Sequence, residues 1–364
     1  MPSEPTIGWD LGGAHLKAAR LDPHGRVMQV VQLPCPLWQG LIHLKLAIDN
    51  ALQQLSTPCA RHALTMTGEL ADLFDNRREG VRSLLESFSA SVSAQQISIY
   101  AGAAGFATVD QHDAVWEQIA SANWRASAEF LAGRLPAGLL VDVGSTTTDI
   151  VPFKQSVLAC GRDDRERLVQ EELLYAGVVR TSLMSIVDRL PFDGEWVPVM
   201  AEQFATTADV YRLTNELPED ADQMPSADGK GKSPLESARR LARMLGCDVH
   251  LAPFAAWQRC AEYIAEVQLA RVFSACQRVL SRGILTDDAP LIGAGVGRFL
   301  VMKLAQRLQR PYLDFASCID SSSDAAARWS ACCAPAVAVA ALLQARHPSI
   351  AAGATLARER TSCG

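Results

Sequence analysis

Two short segments pair an aspartate with small residues at the end of an apolar run. The first is Ile7-Gly8-Trp9-Asp10-Leu11-Gly12-Gly13, with Lys17 a little further on. The second is Leu140-Val141-Asp142-Val143-Gly144-Ser145-Thr146, running on through Thr147 to Asp149. Glycines permit positive φ and close backbone approach, so their N–H groups can point at phosphate oxygens. An aspartate at a strand end supplies a hard oxygen for Mg²⁺, usually through its water shell. Asp10 and Asp142 are therefore the candidate metal carboxylates. Gly12 and Gly13 form one phosphate cradle, with Lys17 as counter-charge. Gly144, Ser145, Thr146 and Thr147 form the other, adding hydroxyl donors. One Asp-x-Gly is only a turn signal. Two in equivalent settings, 132 residues apart, mark a duplicated phosphate-binding unit.

A third glycine run, Gly293-Ala294-Gly295-Val296-Gly297, follows an apolar stretch and opens a helical one. Its amides would sit at the positive end of a helix, suited to an anion or an adenine-ribose unit. Arg298 holds the sixth position, so the dinucleotide fingerprint is not met. A plain structural turn has the same appearance. Gly231-Lys232-Ser233 resembles the end of a Walker A loop, but residue 226 is serine rather than glycine. Lying in the polar stretch 218–234, it reads as a poor P-loop and as a basic flap able to close on a phosphate.

The elements that must carry these loops are legible from periodicity. Apolar runs predict strands over 6–10, 15–21, 27–33, 63–67, 97–101, 138–143, 148–153 and 290–293. Leu41, Leu44, Ile48, Leu52 and Leu55 recur at helical spacing, as do Val81, Leu84, Leu85, Phe88 and Val92. Trp124 to Leu135 forms another helix, a long helical region spans 235–280, and one last helix spans 325–345. The repeated strand–turn–strand unit implies two similar lobes, 1–137 and 138–364, with the last helix able to pack back on the first. The chain has 364 residues, 49% hydrophobic and 20% charged, with net charge −6. Such a balance suits a globular protein of two domains, and scattered Lys and Arg give no footprint for nucleic acid. The N-terminus lacks the basic and apolar regions of a signal peptide. The apolar run 331–343 is shorter than the ~20 residues a membrane span needs. A cytoplasmic protein without nucleic-acid or membrane partners is expected. The ten cysteines show no CxxC pair, so neither a disulfide framework nor a zinc finger is indicated.

The stretches IGWDLGGAHLKAARLD, LPCPLWQGL, TMTGELADLF, YAGAAGF, SANW, LLVDVGSTTTDIVPF, YAGVVRTSLM, FATTADVYRL, ADGKGKS and IGAGVGRFLV resemble the bacterial tetrahydromethanopterin-linked one-carbon transfer pathway proteins. That group is related to the hydantoinase A and oxoprolinase proteins. The resemblance runs from about residue 7 to 343. It implies an α/β chain with the actin-like ATPase and sugar-kinase (ribonuclease H-like) fold, its two lobes facing across a central cleft. Asp10 and Asp142 would then point into one cleft. Archaeal relatives in this family make methanofuran. The resemblance therefore implies a transferase that joins an aminomethyl-furan-methyl diphosphate to the phenol of γ-glutamyl-tyramine. An aryl ether forms, diphosphate leaves, and in bacteria the product leads to methylofuran. Small-molecule diphosphate and phenol are the implied partners, Mg²⁺ the implied cofactor, and a homodimer is compatible.

Diphosphate leaves readily only when its developing charge is neutralised by metal, lysine and oriented amides. A phenol has a pKa of ~10, so forming phenolate at neutral pH costs about 4 kcal/mol. Glu69 in TMTGEL is the candidate base, its other reading being a surface or N-capping residue. His15 is the alternative base or a structural residue. Trp9, Trp38 and Phe106 are candidates to hold the flat substrates, or core aromatics. The sequence departs from its relatives in two places. Ala14-His15 stands where a hydroxyl residue is usual, and Gln170-Glu171-Glu172 stands where Gly is expected before Glu, leaving Glu172 a minor candidate. The rival reading is an ATP-dependent kinase or ATPase on the same loops, favoured by the Gly293–Gly297 run. ATP is compatible with the synthase but not required by it.

Overall fold

Apolar strands and amphipathic helices alternate through the first third of the chain. A computed structural model describes residues 4–57 and 60–346. It begins with β1 (Thr6–Leu11), β2 (His15–Leu21), β3 (Val27–Pro34), α1 (Leu41–Leu55), β4 (Arg61–Met66), α2 (Arg77–Ser89), β5 (Ile97–Tyr100), β6 (Phe106–Ala107), α3 (Trp116–Ile119) and α4 (Asn123–Ala132). Then come β7 (Ala137–Val143), β8 (Thr148–Lys154), α5 (Asp164–Val169), β9 (Leu173–Leu174), β10 (Arg189–Phe192), β11 (Glu195–Pro198), α6 (Thr207–Leu213), α7 (Pro234–Met244) and α8 (Phe254–Leu280). The chain continues through β12 (Leu291–Ala294), α9 (Arg298–Arg307), β13 (Tyr312–Asp314), α10 (Asp324–Cys332) and α11 (Ala334–Arg346). Two compact units result, one running up to Arg134 and resuming at Phe315, the other spanning Leu135–Asp314. Described residues from Phe315 to Arg346, the last helix among them, group with the first unit. The reason is packing: α11 is apolar nearly all round and lies against β1, β2 and β4.

In the first unit the sheet order is β3-β2-β1-β4-β5-β6. The first three strands pair antiparallel, while β1, β4 and β5 run parallel. Side chains alternate across a strand, which sends Ile7, Trp9 and Leu11 into a core with Leu44, Ile48, Leu84 and Phe88 of α1 and α2. Gly8 faces the other way, under α11. A Cβ there would lie 1.9 Å from the Ala336 carbonyl oxygen, so only glycine lets the helix seat.

The second unit repeats this plan. Its sheet order is β13-β12-β7-β8-β9, with β7, β8 and β9 antiparallel and β12 and β13 parallel to β7. So β7, β8 and β12 stand in for β1, β2 and β4, and the duplication read in two turns extends to whole sheets. A second apolar core gathers Val210, Leu241, Trp257 and Ile264 from α6, α7 and α8. The expected long helix 235–280 is two helices, α7 and α8, parted by Gly246 at φ +71° and by Pro253. The expected last helix is also two, bent by 100° where Pro335 removes a backbone donor and crowds the preceding turn. Among the described residues no single helix is long and apolar enough to cross a membrane.

Candidate functional site

The two aspartate-bearing turns are built alike. Antiparallel pairing sets Asp10 opposite Lys17 and Leu11 opposite Leu16. It likewise sets Asp142 opposite Asp149 and Val143 opposite Thr148. One bond closes each turn: the Gly12 N–H donates to the His15 carbonyl at 3.1 Å, and the Gly144 N–H to the Thr147 carbonyl at 2.8 Å. Neither uses the positive φ that glycine permits. Closeness is the constraint at Gly12, where a Cβ would lie 2.7 Å from the His15 carbonyl oxygen. Gly13 differs, because nothing approaches its would-be Cβ nearer than the Gly68 Cα at 4.0 Å.

Asp10 is buried at the first turn, with Lys17 Nζ 3.6 Å from its Oδ2. The next loop, at the end of β4, lies alongside: the Thr67 N–H donates to the Leu11 carbonyl at 3.0 Å. Glu69 follows and is only 1% exposed, which removes its surface reading. Its Oε1 accepts from Ser121 Oγ at 2.7 Å and from Arg77 Nη2 at 3.1 Å. Its Oε2 takes no hydrogen bond among the described residues. Burial raises the Glu69 pKa, and the Ser121 bond and Arg77 charge pull it partly back. A buried acceptor left unsatisfied costs about 1–3 kcal/mol, and perturbed carboxyls of this kind concentrate at functional sites. His15 is buried and closes the turn through its carbonyl.

The second turn is bound on its carbonyl side by the segment 177–180. The Gly177 N–H donates to Thr146 O (2.9 Å), Val178 N–H to Gly144 O (3.1 Å), and the Val179 and Arg180 N–H groups to Ser145 O (3.1 and 2.9 Å). Among the described residues the amides of Ser145, Thr146 and Thr147 donate to no backbone carbonyl, as an anion cradle requires. Asp149 is held by Arg167 at 2.9 Å. The third glycine run joins the same assembly. β12 pairs Ala294 with Asp142, and the Gly297 N–H donates to Val143 O at 2.8 Å. Gly295, at φ +81°, would put a Cβ 2.2 Å from Val143 O and 2.5 Å from Asp142 Oδ1. A Cβ on Gly297 would meet Val143 Cγ1 at 2.5 Å, and one on Gly293 the Tyr312 ring at 2.8 Å.

The structure thus brings Asp10, Gly12, Gly13, Lys17 and Glu69 together in the first unit. Asp142, Gly144, Ser145, Thr146, Thr147, Gly293, Gly295 and Gly297 come together in the second. Trp9 is not a cleft aromatic, because alternation along β1 buries it fully, with its Nε1 donating to His62 Nδ1 at 3.0 Å. Trp38 is 42% exposed, and Phe106 lies edge-on to Tyr100. Glu172 is structural: it is fully buried, ion-paired with Arg282, and accepts from the Cys160 and Gly161 amides at 2.8 and 3.0 Å. The basic flap is pinned. Lys232 Nζ donates to Asp222 O at 2.7 Å, and Ser233 caps α7 in a capping box with Glu236. An open groove of about 720 Å³ near Arg278 and Arg310 involves none of these residues.

Arg77, Ser121, Arg167 and Arg180 were missed from the sequence, where nothing marks isolated surface-type residues as partners of a distant carboxylate or hydroxyl. Gln268 had a signal, being the one polar member of the stripe Cys260, Ile264, Gln268, Val272 and Cys276. Among the described residues no three Asp, Glu, His or Cys side chains gather as a metal cage. Mg²⁺ usually binds through one or two carboxylates together with substrate phosphates and water. Asp10 in the first unit and Asp142 in the second are each a single carboxylate of that kind.

A synthase of Methanocaldococcus jannaschii, named for a furan-methanamine product bearing a γ-glutamylaminoethyl-phenoxymethyl group, is 28% identical over 243 residues. The match covers 66% of this chain and 72% of that one. The synthase of the same name from Methanococcus vannielii is 34% identical over 124 residues, 34% of this chain and 56% of that one. The chain therefore spans little more than half of that second relative. Among solved structures, nucleotide-free acetone carboxylase superposes with TM-score 0.51 at 9% identity, covering 82% of this chain and 66% of that one. The fold is that of actin-like ATPases and sugar kinases, with two mixed α/β sheets. The hydantoinase/oxoprolinase family profile matches residues 61–345, and the chain belongs to that family.

Proposed function

We propose that this chain is an ether-forming synthase of methanofuran-type biosynthesis, joining an aminomethyl-furan-methyl diphosphate to the phenol of γ-glutamyl-tyramine. The phenol gives up its proton, its oxygen bonds the furan-methyl carbon, and the carbon–oxygen bond to diphosphate breaks with the electron pair leaving on diphosphate. The observation that carries the phosphate half is the pair of matching turns with Asp10 and Asp142 at the same register. The names of the two archaeal relatives support the substrates. Asp10 and Asp142 would hold Mg²⁺, which when bound neutralises charge on the departing diphosphate. Gly12, Gly13, Gly144, Ser145, Thr146 and Thr147 orient its oxygens, and Lys17 adds positive charge. Glu69, its pKa raised by burial and its Oε2 without a donor among the described residues, is the base for the phenol. The kinase reading needs an adenosine site at the third glycine run. In that run Gly293, Gly295 and Gly297 are already required by close packing against Tyr312, Asp142, Val143 and Val178, so the glycines do not by themselves call for a nucleotide.

Incubation with the furan diphosphate, γ-glutamyl-tyramine and Mg²⁺ should release one diphosphate per ether, with no ADP. Asp142→Asn should remain folded and turn over roughly 100-fold more slowly. Glu69→Gln should lose a similar factor, together with the acid limb of the pH–rate profile. ATP-dependent phosphorylation of an alcohol, with no ether formed, would replace this reading with the kinase one.

A further inference from the structure

Behind the second turn lies a polar network too buried to serve solvent. Gln268, in the middle of α8, is fully buried and donates through Nε2 to the Ala176 and Gly177 carbonyls at 2.9 and 3.0 Å. Its Oε1 accepts from Tyr211 OH at 3.0 Å. Thr148 Oγ1 also donates to Ala176 O, and Thr207 Oγ1 to Gly177 O, both at 2.9 Å. The Tyr211 bond holds the glutamine, and the other four fix Ala176 and Gly177 at the start of segment 177–180, whose amides already grip the carbonyls of the turn. Gly177 has no room for a side chain, since a Cβ would lie 2.4 Å from the Ser145 carbonyl. Buried networks of this kind rigidify what they hold when fully satisfied. The element so fixed ends in Arg180, whose Nη1 lies 3.5 Å from Thr146 Oγ1, on the turn where the Ser145, Thr146 and Thr147 amides have no backbone acceptor among the described residues.

We infer that Arg180 is the anion-binding cation of the second turn, meeting the oxygens of a diphosphate group held by the amides of Ser145, Thr146 and Thr147. The inference rests on the phosphate-binding reading of that turn and adds a residue to it. Arginine suits the task because its planar donors match phosphate oxygens two at a time. Arg180 is half-buried, and burial lowers its pKa by disfavouring the charge. Its place is also fixed before any ligand arrives, because its own amide is bonded to Ser145 O.

The test is calorimetric titration of the full chain with inorganic diphosphate in the presence of Mg²⁺, and separately with ATP. The wild-type chain should bind diphosphate, and Arg180→Ala should weaken binding about 10- to 100-fold, the usual worth of a charged hydrogen bond. Arg180→Lys should recover part of the loss. Arg180→Gln carries the test if the alanine variant does not fold. Diphosphate bound equally well by wild type and both uncharged variants would overturn the role of Arg180 and leave the turn's reading intact. Failure of the wild-type chain to bind diphosphate or ATP would overturn the phosphate reading and this inference with it. Binding of ATP alone, lost in Arg180→Ala, would keep Arg180 as the cation and assign the anion to a nucleotide.

Discussion

Glu171 sits at φ +54°, a left-handed backbone that costs a non-glycine residue about 1–2 kcal/mol. Glutamate at such a position bears a strain that glycine would not. The bend lets Glu172 turn inward to Arg282 and to the amides of residues 160 and 161. Glu171 itself pairs with the exposed Arg278, at 3.7 Å, a contact of little worth. Glu171→Gly should therefore stabilise the fold, by about 0.5–1 kcal/mol once the greater freedom of glycine in the unfolded chain is subtracted. Thermal unfolding would show this as a rise of a few degrees in Tm, and an unchanged or lower value would contradict the strain argument. The same pair of residues shows where reading from sequence stops. The role of Glu172 was not legible, because Arg282, just past the end of α8, reaches it only through packing.

The turn is the smallest element that carries chemistry, and its two glycines are not equivalent. At Gly12 a methyl group would strike the carbonyl that closes the turn, whereas at Gly13 it would rest in ordinary contact with the Gly68 Cα. Gly12→Ala should break the bond from Gly12 to His15 and cost about 1–3 kcal/mol, as other overpacking changes do. Gly13→Ala should leave stability within about 0.5 kcal/mol and yet lower turnover if phosphate oxygens approach the backbone there. Unfolding curves and rates on both variants separate the two roles, and a Gly13→Ala enzyme of full activity would move the ligand away from that amide. Strands β1, β2, β7 and β8 were legible because their apolar runs are long and end in glycine turns. The hairpin of β10 and β11 was overlooked despite its Asp193-Gly194 turn, both residues at positive φ, since its strands are only four residues each. The breaks within 235–280 and 325–345 hinge on Gly246, Pro253 and Pro335, each of which periodicity alone passes over.

At the scale of the whole molecule, the two units carry separate sheets and separate cores, so a group titrating inside one acts first on that one. His62 on β4 is such a group. It lies between Trp9 and Phe88, with ring centroids 5.9 and 6.2 Å away, and its Nδ1 accepts the Trp9 indole proton at 3.0 Å. Protonating Nδ1 would set one donor against another, the imidazole N–H facing the indole N–H. Burial pushes the His62 pKa down to about 4 from 6.5. As pH falls below about 6.5 the unfolded chain takes up this proton first, so stability is lost progressively until the folded value near 4 is reached. Linkage puts the loss at about 2 kcal/mol between pH 7 and 5, and about 3 kcal/mol over the full window. Glu69 in the same unit works in the opposite sense, because its raised pKa favours the folded state in acid, so the pH slope of the wild-type chain is a sum. His62→Asn isolates the histidine, since an amide oxygen can accept the indole proton without titrating. Calorimetry should show the unfolding of the first unit moving down by roughly 4–8 °C from pH 7 to 5 in the wild type, at 2–4 °C per kcal/mol. In His62→Asn that shift should shrink or reverse sign as Glu69 takes over. An equal downward shift in both proteins would show that the acid sensitivity comes from groups other than this buried imidazole.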